Sequence, residues 1–466
     1  MVYHIVVAVP YPGRGHVNPM MNLCKSLISS ANHHNQEILI TFVVTQEWKT
    51  LINNNNHHAH AHADDSIRIC TIPNVLPSEQ VRGNDFPGFY EAVMTKMEAP
   101  FEALIQEING DVDLMIADTE LLWAAPIARR RSIPLALLWT ASASVFSMFL
   151  HHQLCVENGH IGIDSLEHGE KCVDYIPGVS PLKISDLPPI FHDKNGKVLQ
   201  LYLQCISMVQ HAQYLLFNSI YEIEPKAIET LKSKYPSPLY TIGPLIPFNE
   251  VTSNERSNYM QWLDSQPKGS VLYISLGSYL SISNEQMEEL IAGLFESGVR
   301  FLMVYRGPNK TLISQNSNSS MMMNGLFVPW CDQLRVLSHN SIGGFLSHCG
   351  WNSVLEAMFC GVPILTFPIS IDQVPNSKQI VEDWKVGVEL KERLGINKEN
   401  GVVVMRKEIA RIVKSFMDYE SREGRELRGR TSNVRDVCRN TIVEGGSSLQ
   451  NLNAFLEDIL QSKQIK

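Results

Sequence analysis

No apolar run in the chain approaches the roughly 20 residues that a membrane-spanning helix needs. The opening run, Ile5–Pro10, is far too short. A basic leader with a small-residue cleavage site is also missing, so no secretory signal is expected. Cysteine is sparse: nine in 466 residues, an odd number, with no CxxC and no Cys/His pair at zinc-finger intervals. That argues against a disulfide scaffold or a structural zinc site and for reduced, mostly buried thiols in a cytoplasmic protein. Positive charge is short, with 39 Lys and Arg against 48 Asp and Glu for a net −9, which argues against a surface built to coat nucleic acid. No solenoid-type repeat is present. Low complexity is confined to two stretches, Asn53–Asp65 and Asn309–Asn324. The first holds histidines at 57, 58, 60 and 62; it reads as a surface loop, with metal binding the other reading. The second reads as a loop.

What is present is a globular composition, 44% hydrophobic and 19% charged, on a chain long enough for two or three domains. Tyr3–Pro10 (YHIVVAVP) is an almost unbroken β-rich apolar run, the mark of a parallel strand buried on both faces. A glycine turn, Gly13-Arg14-Gly15-His16, follows, and Asn18-Pro19 reads as the cap and first turn of a helix. Ile38–Thr45 is a second strand. Strand–glycine turn–helix–strand opens a doubly wound α/β domain. Further strands are expected at Leu114–Asp118, Pro134–Thr140 and Tyr214–Ser219, with a helix over Leu121–Arg131 and another from Ser142. A Pro/Gly/Asn/Ser-rich stretch at Tyr240–Asn258 breaks the pattern and reads as a linker. The alternation restarts with strands at Ser270–Gly277, Arg300–Arg306, Ile342–His348 and Val362–Pro368. Ser283 and Gln286 suggest a capping box for a helix reaching about Ser297. Leu449, Leu452, Phe455, Leu456, Ile459 and Leu460 form an apolar stripe on a last helix over Ser447–Gln461. The expected layout is a domain over 1–240, a linker over 241–258, a second domain over 259–446 and a terminal helix over 447–466, with a ligand cleft between the two α/β halves.

The stretch from Trp330 to Gln373 carries the most chemistry. His348-Cys349-Gly350-Trp351-Asn352-Ser353 follows a buried strand and opens a helix, whose free N–H groups and positive dipole end suit a phosphate. Gly350 allows close backbone approach, and His348 and Ser353 add donors. Glu356 shares a helix face with Asn352 and Ser353, where a carboxylate suits a ribose diol. Trp330 at a strand end suits stacking on a flat base, with Gln333 nearby. Asp372-Gln373 offers an acid and an amide for vicinal sugar hydroxyls.

This 44-residue segment resembles the signature box of plant UDP-dependent glycosyltransferases, which begins with Trp, contains His-Cys-Gly-Trp-Asn-Ser and ends in Asp-Gln. PYPGRGHVNPMMNL near the start, IAD at 116–118, LWTASAS at 138–144 and YISLGS at 273–278 agree. The resemblance implies an α/β GT-B fold: two Rossmann-like, doubly wound parallel-sheet domains facing across a cleft, with the last helix crossing back to the first domain. It implies an acceptor site in the N-terminal domain, a UDP-sugar site in the C-terminal one, and inverting transfer with neither metal nor cofactor. By the same resemblance Trp330 stacks on uracil, Cys331 meets the base through its backbone, and Gln333 and Glu356 hold the ribose. His348, Asn352, Ser353 and Ser278 face the phosphates; Thr140, Trp351, Asp372 and Gln373 face the sugar. A terminal glutamine goes with glucose, so UDP-glucose is the expected donor. Asp332 stands where proline is frequent and Phe367 where tryptophan is frequent; Asp332, close to the base site, is expected to affect nucleotide discrimination.

His16 is the candidate general base, at the end of the first strand, where open α/β sheets place ligands. Asp118 ends a later parallel strand and can fix the imidazole tautomer. Phe86, Phe89, Tyr90, Phe146, Phe149 and Phe191 are candidates for the wall of an apolar acceptor pocket, with core packing the other reading. The expected acceptor is a small lipophilic molecule of phenolic, terpenoid or hormone-like type bearing a hydroxyl or carboxyl, and the expected state is a monomer. A catalytically silent sugar-nucleotide-binding protein is the alternative. A nicotinamide-dependent dehydrogenase fits poorly, because Asn18 stands at the third glycine position and Glu37 precedes the second strand.

Overall fold

The computed structural model describes all residues except 1–2, 35, 57–65, 80–81, 109–110, 162–168, 194–195, 248–256, 278–281, 307–323, 391–402 and 463–466. The histidine-rich segment, nearly all of Asn309–Asn324, half of the expected linker and Ser278 lie outside the described residues.

The first half of the chain builds β1 (Tyr3–Val9), β2 (Glu37–Thr45), β3 (Ile67–Ile72), β4 (Leu114–Asp118) and β5 (Leu135–Trp139), then a small antiparallel ribbon of β6 (Cys172–Val173) and β7 (Leu182–Lys183), then β8 (Tyr214–Phe217) and β9 (Leu239–Thr241). All but the ribbon form one seven-stranded parallel sheet in the order β3-β2-β1-β4-β5-β8-β9. Alternate side chains of β1 feed two different cores. Val7 and Val9 pack with Phe101 and Phe149 on one face, and Val6 and Ala8 with Leu23 and Phe42 on the other. This is why the run is apolar without alternation.

The second half repeats the plan with β10 (Val271–Ser275), β11 (Arg300–Val304), β12 (Gly325–Val328), β13 (Ile342–Ser347), β14 (Ile364–Thr366) and β15 (Gly387–Glu389). They form a six-stranded parallel sheet ordered β12-β11-β10-β13-β14-β15. Val271 and Tyr273 enter one core, Leu272 and Ile274 the other. All nine cysteines are unpaired, and among the described residues no helix is long and apolar enough to cross a membrane.

Three local expectations change. The first helix spans Arg14–His33 with Gly13 as its cap and Pro19 inside it, so Asn18-Pro19 is not its start. The expected linker begins inside β9 at Thr241 and ends on the first residue of the Asn258–Asp264 helix; a three-residue strand running into a Pro/Gly-rich segment leaves little pattern to read. Ser283 caps the Asn284–Ser297 helix through Gln286 N at 3.1 Å. The Gln286 side chain does not close the box, because it exchanges two hydrogen bonds with the Val404 backbone instead.

The last helix, Ser447–Ser462, returns to the first domain. Leu452, Phe455, Leu456 and Ile459 join the core under the Arg14–His33 helix and β2. The Phe455 ring lies 5.5 Å from that of Tyr214 and 5.8 Å from that of Tyr240. Phe455→Ala should therefore cost about 3–5 kcal/mol, read as an earlier urea unfolding midpoint.

Candidate active site

Each sheet has one place where the chain reverses its order of winding. In the first it lies between β1 and β4, in the second between β10 and β13. The helices that follow these strands pack on opposite faces. Leu23 of the Arg14–His33 helix enters one core and Ile127 of the Ala124–Arg130 helix the other. Leu290 of Asn284–Ser297 and Val354 of Trp351–Cys360 divide in the same way. A crevice opens at such a point, beyond the carboxyl ends of the strands. Here the two crevices meet in one cavity of about 1030 Å³.

His16 lies in the first turn of the Arg14–His33 helix, and one-fifth of its side chain is exposed. Its Nδ1 is 2.8 Å from Asp118 Oδ2 and 3.0 Å from Thr140 Oγ1. Nδ1 carrying the proton toward Asp118 leaves Nε2 for the cavity. Asp118 Oδ1 accepts the Glu120 N–H at 3.0 Å, so the carboxylate is held at both oxygens. Burial pushes the His16 imidazole down, but Asp118 outweighs burial and takes it up to about 9. The pair thus stabilises the fold fully below the ordinary imidazole range, and this contribution is lost as pH rises through about 9.

The opposite wall belongs to the second domain. Trp330, two residues beyond β12, is 40% exposed and lines the cavity. Gln333 is fixed at both ends of its amide. Its Oε1 accepts from Tyr273 Oη at 3.2 Å, and its Nε2 donates to Ser353 Oγ at 2.9 Å and Glu356 Oε2 at 2.6 Å. Burial raises Glu356 to about 7 against the opposing Gln333 bond. Cys331 is buried, its Sγ 3.4 Å from Tyr273 Oη. Asp332 caps the Gln333–Leu337 helix through Arg335 N at 3.1 Å, and its own N–H donates to Tyr259 Oη at 3.2 Å. Proline at this position could make neither bond. Phe367 is wholly buried in the core below.

Gly350 caps the Trp351–Cys360 helix without a side-chain bond; the Trp351 N–H bonds to Asp372, and the next N–H groups, of Asn352 and Ser353, are those offered to the cavity. The His348 ring explains two glycines. A Cβ on Gly350 would lie 2.5 Å from His348 Nε2, and one on Gly277 2.8 Å away. Burial depresses His348 to about 4, which keeps it neutral at physiological pH. Asp372 Oδ2 accepts from Asn376 Nδ2 at 3.0 Å, and burial raises Asp372 to about 6. Gln373 Oε1 accepts the N–H groups of Ile369 and Ser370 at 2.9 and 3.0 Å, so its amide nitrogen is the end left over. Cys349 (φ 67°) and Ile371 (φ 45°), beside these residues, are held in the left-handed region. Such strain collects at functional sites.

The two walls are joined by a hydrogen-bonded seam. Pro19 has no N–H, so the Gly15 carbonyl four residues earlier loses its helical partner. Asn352 Nδ2 supplies it at 2.8 Å, and Asn352 Oδ1 accepts from Asn218 Nδ2 at 3.1 Å. Trp351 Nε1 donates to the Asn218 carbonyl at 2.6 Å. The Asn352 side chain, expected at a phosphate, is thus engaged across the seam.

Thr140, Trp330, Cys331, Gln333, His348, Gly350, Trp351, Asn352, Ser353, Glu356, Asp372 and Gln373 all line the cavity with His16; Asp118 supports His16 from behind. Of the acceptor aromatics, Phe86 and Phe149 line it. Phe89, Tyr90, Phe146 and Phe191 do not; they lie in the core of the first domain. Tyr90 stacks behind Tyr202, Phe146 packs edge-on against Trp139 and Phe217, and Phe191 edge-on against Phe149. These rings bury more area between helix and sheet than they would at the cavity. The sequence reading missed Tyr11, Arg82, Glu120, Tyr202 and Arg306 as cavity residues, and Asn218 in the seam. Asn218 and Glu120 stand just past strand ends, the signal that found His16. Among the described residues no group of three His, Cys, Asp or Glu is disposed to hold a metal ion.

Residues 187–399 match the family described as UDP-glucoronosyl and UDP-glucosyl transferase. The chain is 47% identical to UDP-glycosyltransferase 87A2 of Arabidopsis thaliana, over 97% of this chain and 96% of the relative. It is 44% identical to UDP-glycosyltransferase 87A1 of the same plant, over 97% and 99%. Among solved structures it resembles Medicago truncatula UGT71G1 complexed with UDP-glucose, with a TM-score of 0.81 and 25% identity over 98% of both chains. Phytolacca americana UGT2, complexed with UDP-2fluoro-glucose and pterostilbene, gives a TM-score of 0.78 and 28% identity over 98% and 99%.

In histidine-labelled protein followed by NMR, the His16 imidazole should titrate at about 9. In Asp118→Asn, burial acts without its counterweight, and the midpoint should fall below the ordinary value of about 6.5.

Proposed function

Because the chain belongs to the plant UDP-glycosyltransferase family and has its GT-B fold, it is a glycosyltransferase, and we propose that it transfers glucose from UDP-glucose, with inversion, to a hydroxyl or carboxyl of a small lipophilic acceptor. The observation that carries this reading is the His16–Asp118 pair facing the Trp330–Gln373 wall across one cavity. Uracil stacks on Trp330, and the Gln333–Glu356 pair takes the ribose diol. The diphosphate meets the Asn352 and Ser353 N–H groups, neutral His348 and Ser278; Asn352 contributes through its backbone because its side chain is in the seam. Thr140, Trp351, Asp372 and the free Gln373 amide nitrogen surround the hexose. UGT71G1 was solved with UDP-glucose, which supports the choice of donor, as does glutamine at 373.

His16 Nε2 removes the proton of an acceptor hydroxyl. The oxygen forms a bond to the anomeric carbon as the bond from that carbon to the β-phosphate oxygen breaks, and UDP leaves from the opposite face with the electron pair. Asp118 stabilises the imidazolium that results. No step requires a metal ion or a redox cofactor. The aromatic and aliphatic surface of Phe86, Val145, Phe149 and Tyr202 fits a lipophilic acceptor body, and a monomer contains both walls.

His16→Ala should lower kcat by about 10²–10⁴-fold while calorimetry finds UDP binding nearly unchanged; turnover at the parent rate would remove the histidine from the mechanism. The base form of His16 grows as protons leave, so kcat/KM should rise with pH toward an apparent pKa near 9. UDP-release assays should show UDP-glucose outpacing UDP-galactose, and Gln373→His should narrow that difference.

A further inference from the structure

Two residues beyond Asp118, at the mouth of β4, stands Glu120. It is 7% exposed, and its side chain lines the acceptor side of the cavity. Its N–H is pinned to Asp118 Oδ1, so the turn that carries it is fixed relative to the His16–Asp118 pair. Tyr202, from the Lys197–Met208 helix, faces it, and the two polar groups interact. The Tyr202 ring is clamped between Tyr90 (4.9 Å, 7°) and Phe149 (5.1 Å, 14°), so its hydroxyl is held in place. The rest of this chamber is mainly apolar, with Tyr11, Phe86, Trp139 and Val145. Among the described residues Glu120 forms no ion pair with lysine or arginine. The transfer step already has its base and its acid partner and makes no use of Glu120.

Burial of a carboxyl against aromatic walls carries a desolvation cost unless a hydrogen-bonding group meets it. The neighbouring Tyr202 hydroxyl favours the charged form of Glu120; a carboxylate offers about four acceptor positions. Burial lifts Glu120 to about 7, with His16 opposing and Asp118 adding to the rise. In either protonation state the group can bond a hydroxyl, which both donates and accepts.

Resting on the transfer reading above, we propose that Glu120, supported by Tyr202, is the specificity-determining anchor of the acceptor half, taking a second hydroxyl of the substrate while the first meets His16. The preferred acceptors are then diols or polyphenols. A site built to bond a hydroxyl selects against the analogue that lacks it, since the buried polar group is left unpaired.

The test uses 2,7-dihydroxynaphthalene and 2-naphthol with the full chain and its Glu120→Gln and Glu120→Ala variants. Dissociation constants are measured calorimetrically with UDP present, and turnover with UDP-glucose. The diol should bind the parent at least about tenfold tighter than 2-naphthol. Glu120→Ala should cut that ratio to about threefold or less, and Glu120→Gln, whose amide still bonds a hydroxyl, should keep most of it. An unchanged ratio in Glu120→Ala overturns the proposal, as does a loss of UDP affinity equal to the loss for the diol, which marks a folding defect. Failure to glucosylate any probe would reject the transfer reading instead, while the binding ratio still decides the role of Glu120.

Discussion

The arrangement of the two walls depends on a hydrogen-bonding vacancy created by one proline. Pro19 withholds the N–H that the Gly15 carbonyl would accept in a regular helix, and Asn352 of the other domain occupies that place at 2.8 Å. Asn218 then ties the same amide to the end of β8, and the Trp351 indole closes the cluster on the Asn218 carbonyl. The partners stand at or just beyond strand ends and in the first turns of two helices. The seam therefore sets the start of the Arg14–His33 helix against the start of the Trp351–Cys360 helix, with both positive dipole ends at the shared cavity. Neither domain alone holds an acid–base pair beside a nucleotide wall.

Charge inside the cavity is divided by domain. The N-terminal wall holds a histidine raised by a carboxylate partner, a group suited to gaining a proton. The C-terminal wall holds a histidine depressed by burial and therefore neutral at physiological pH. Glu356 and Asp372 are raised by burial and lack a cation among their described bonding partners. Hydroxyl donors of a ribose and a hexose match such groups better than water confined among apolar walls. These groups thus complement the hydroxyls of a sugar nucleotide, with the imidazole set to one side of them.

Much of this was legible in the residues. The unbroken apolar run of β1 and the acid at the end of β4 put His16 and Asp118 at the carboxyl ends of parallel strands, while the adjacency of those strands comes only with the sheet order. The Trp330–Gln373 stretch presents its chemistry in chain order. Shorter or half-exposed strands were not legible: β9 is three residues followed by Pro- and Gly-rich chain, and β12 and β15 have few buried positions. The acceptor wall failed for another reason. Phe89, Tyr90, Phe146 and Phe191 are as apolar as Phe86 and Phe149, and only the rotation of their helices decides which rings meet the cavity and which back them. Nor could the sequence show that the Asn352 side chain faces the other domain, since that depends on a carbonyl 337 residues away.

The return of the Ser447–Ser462 helix has a mechanical consequence. Because its Phe455 and Leu456 sit in the first domain's core, the second domain is an insertion held by two separate backbone crossings, one after β9 and one before this helix. A body tethered at one point can swivel in any direction. Tethered at two, it turns most freely about the line joining them. Two tethers therefore leave the second domain fewer ways to depart from the register in which Asn352 meets Gly15.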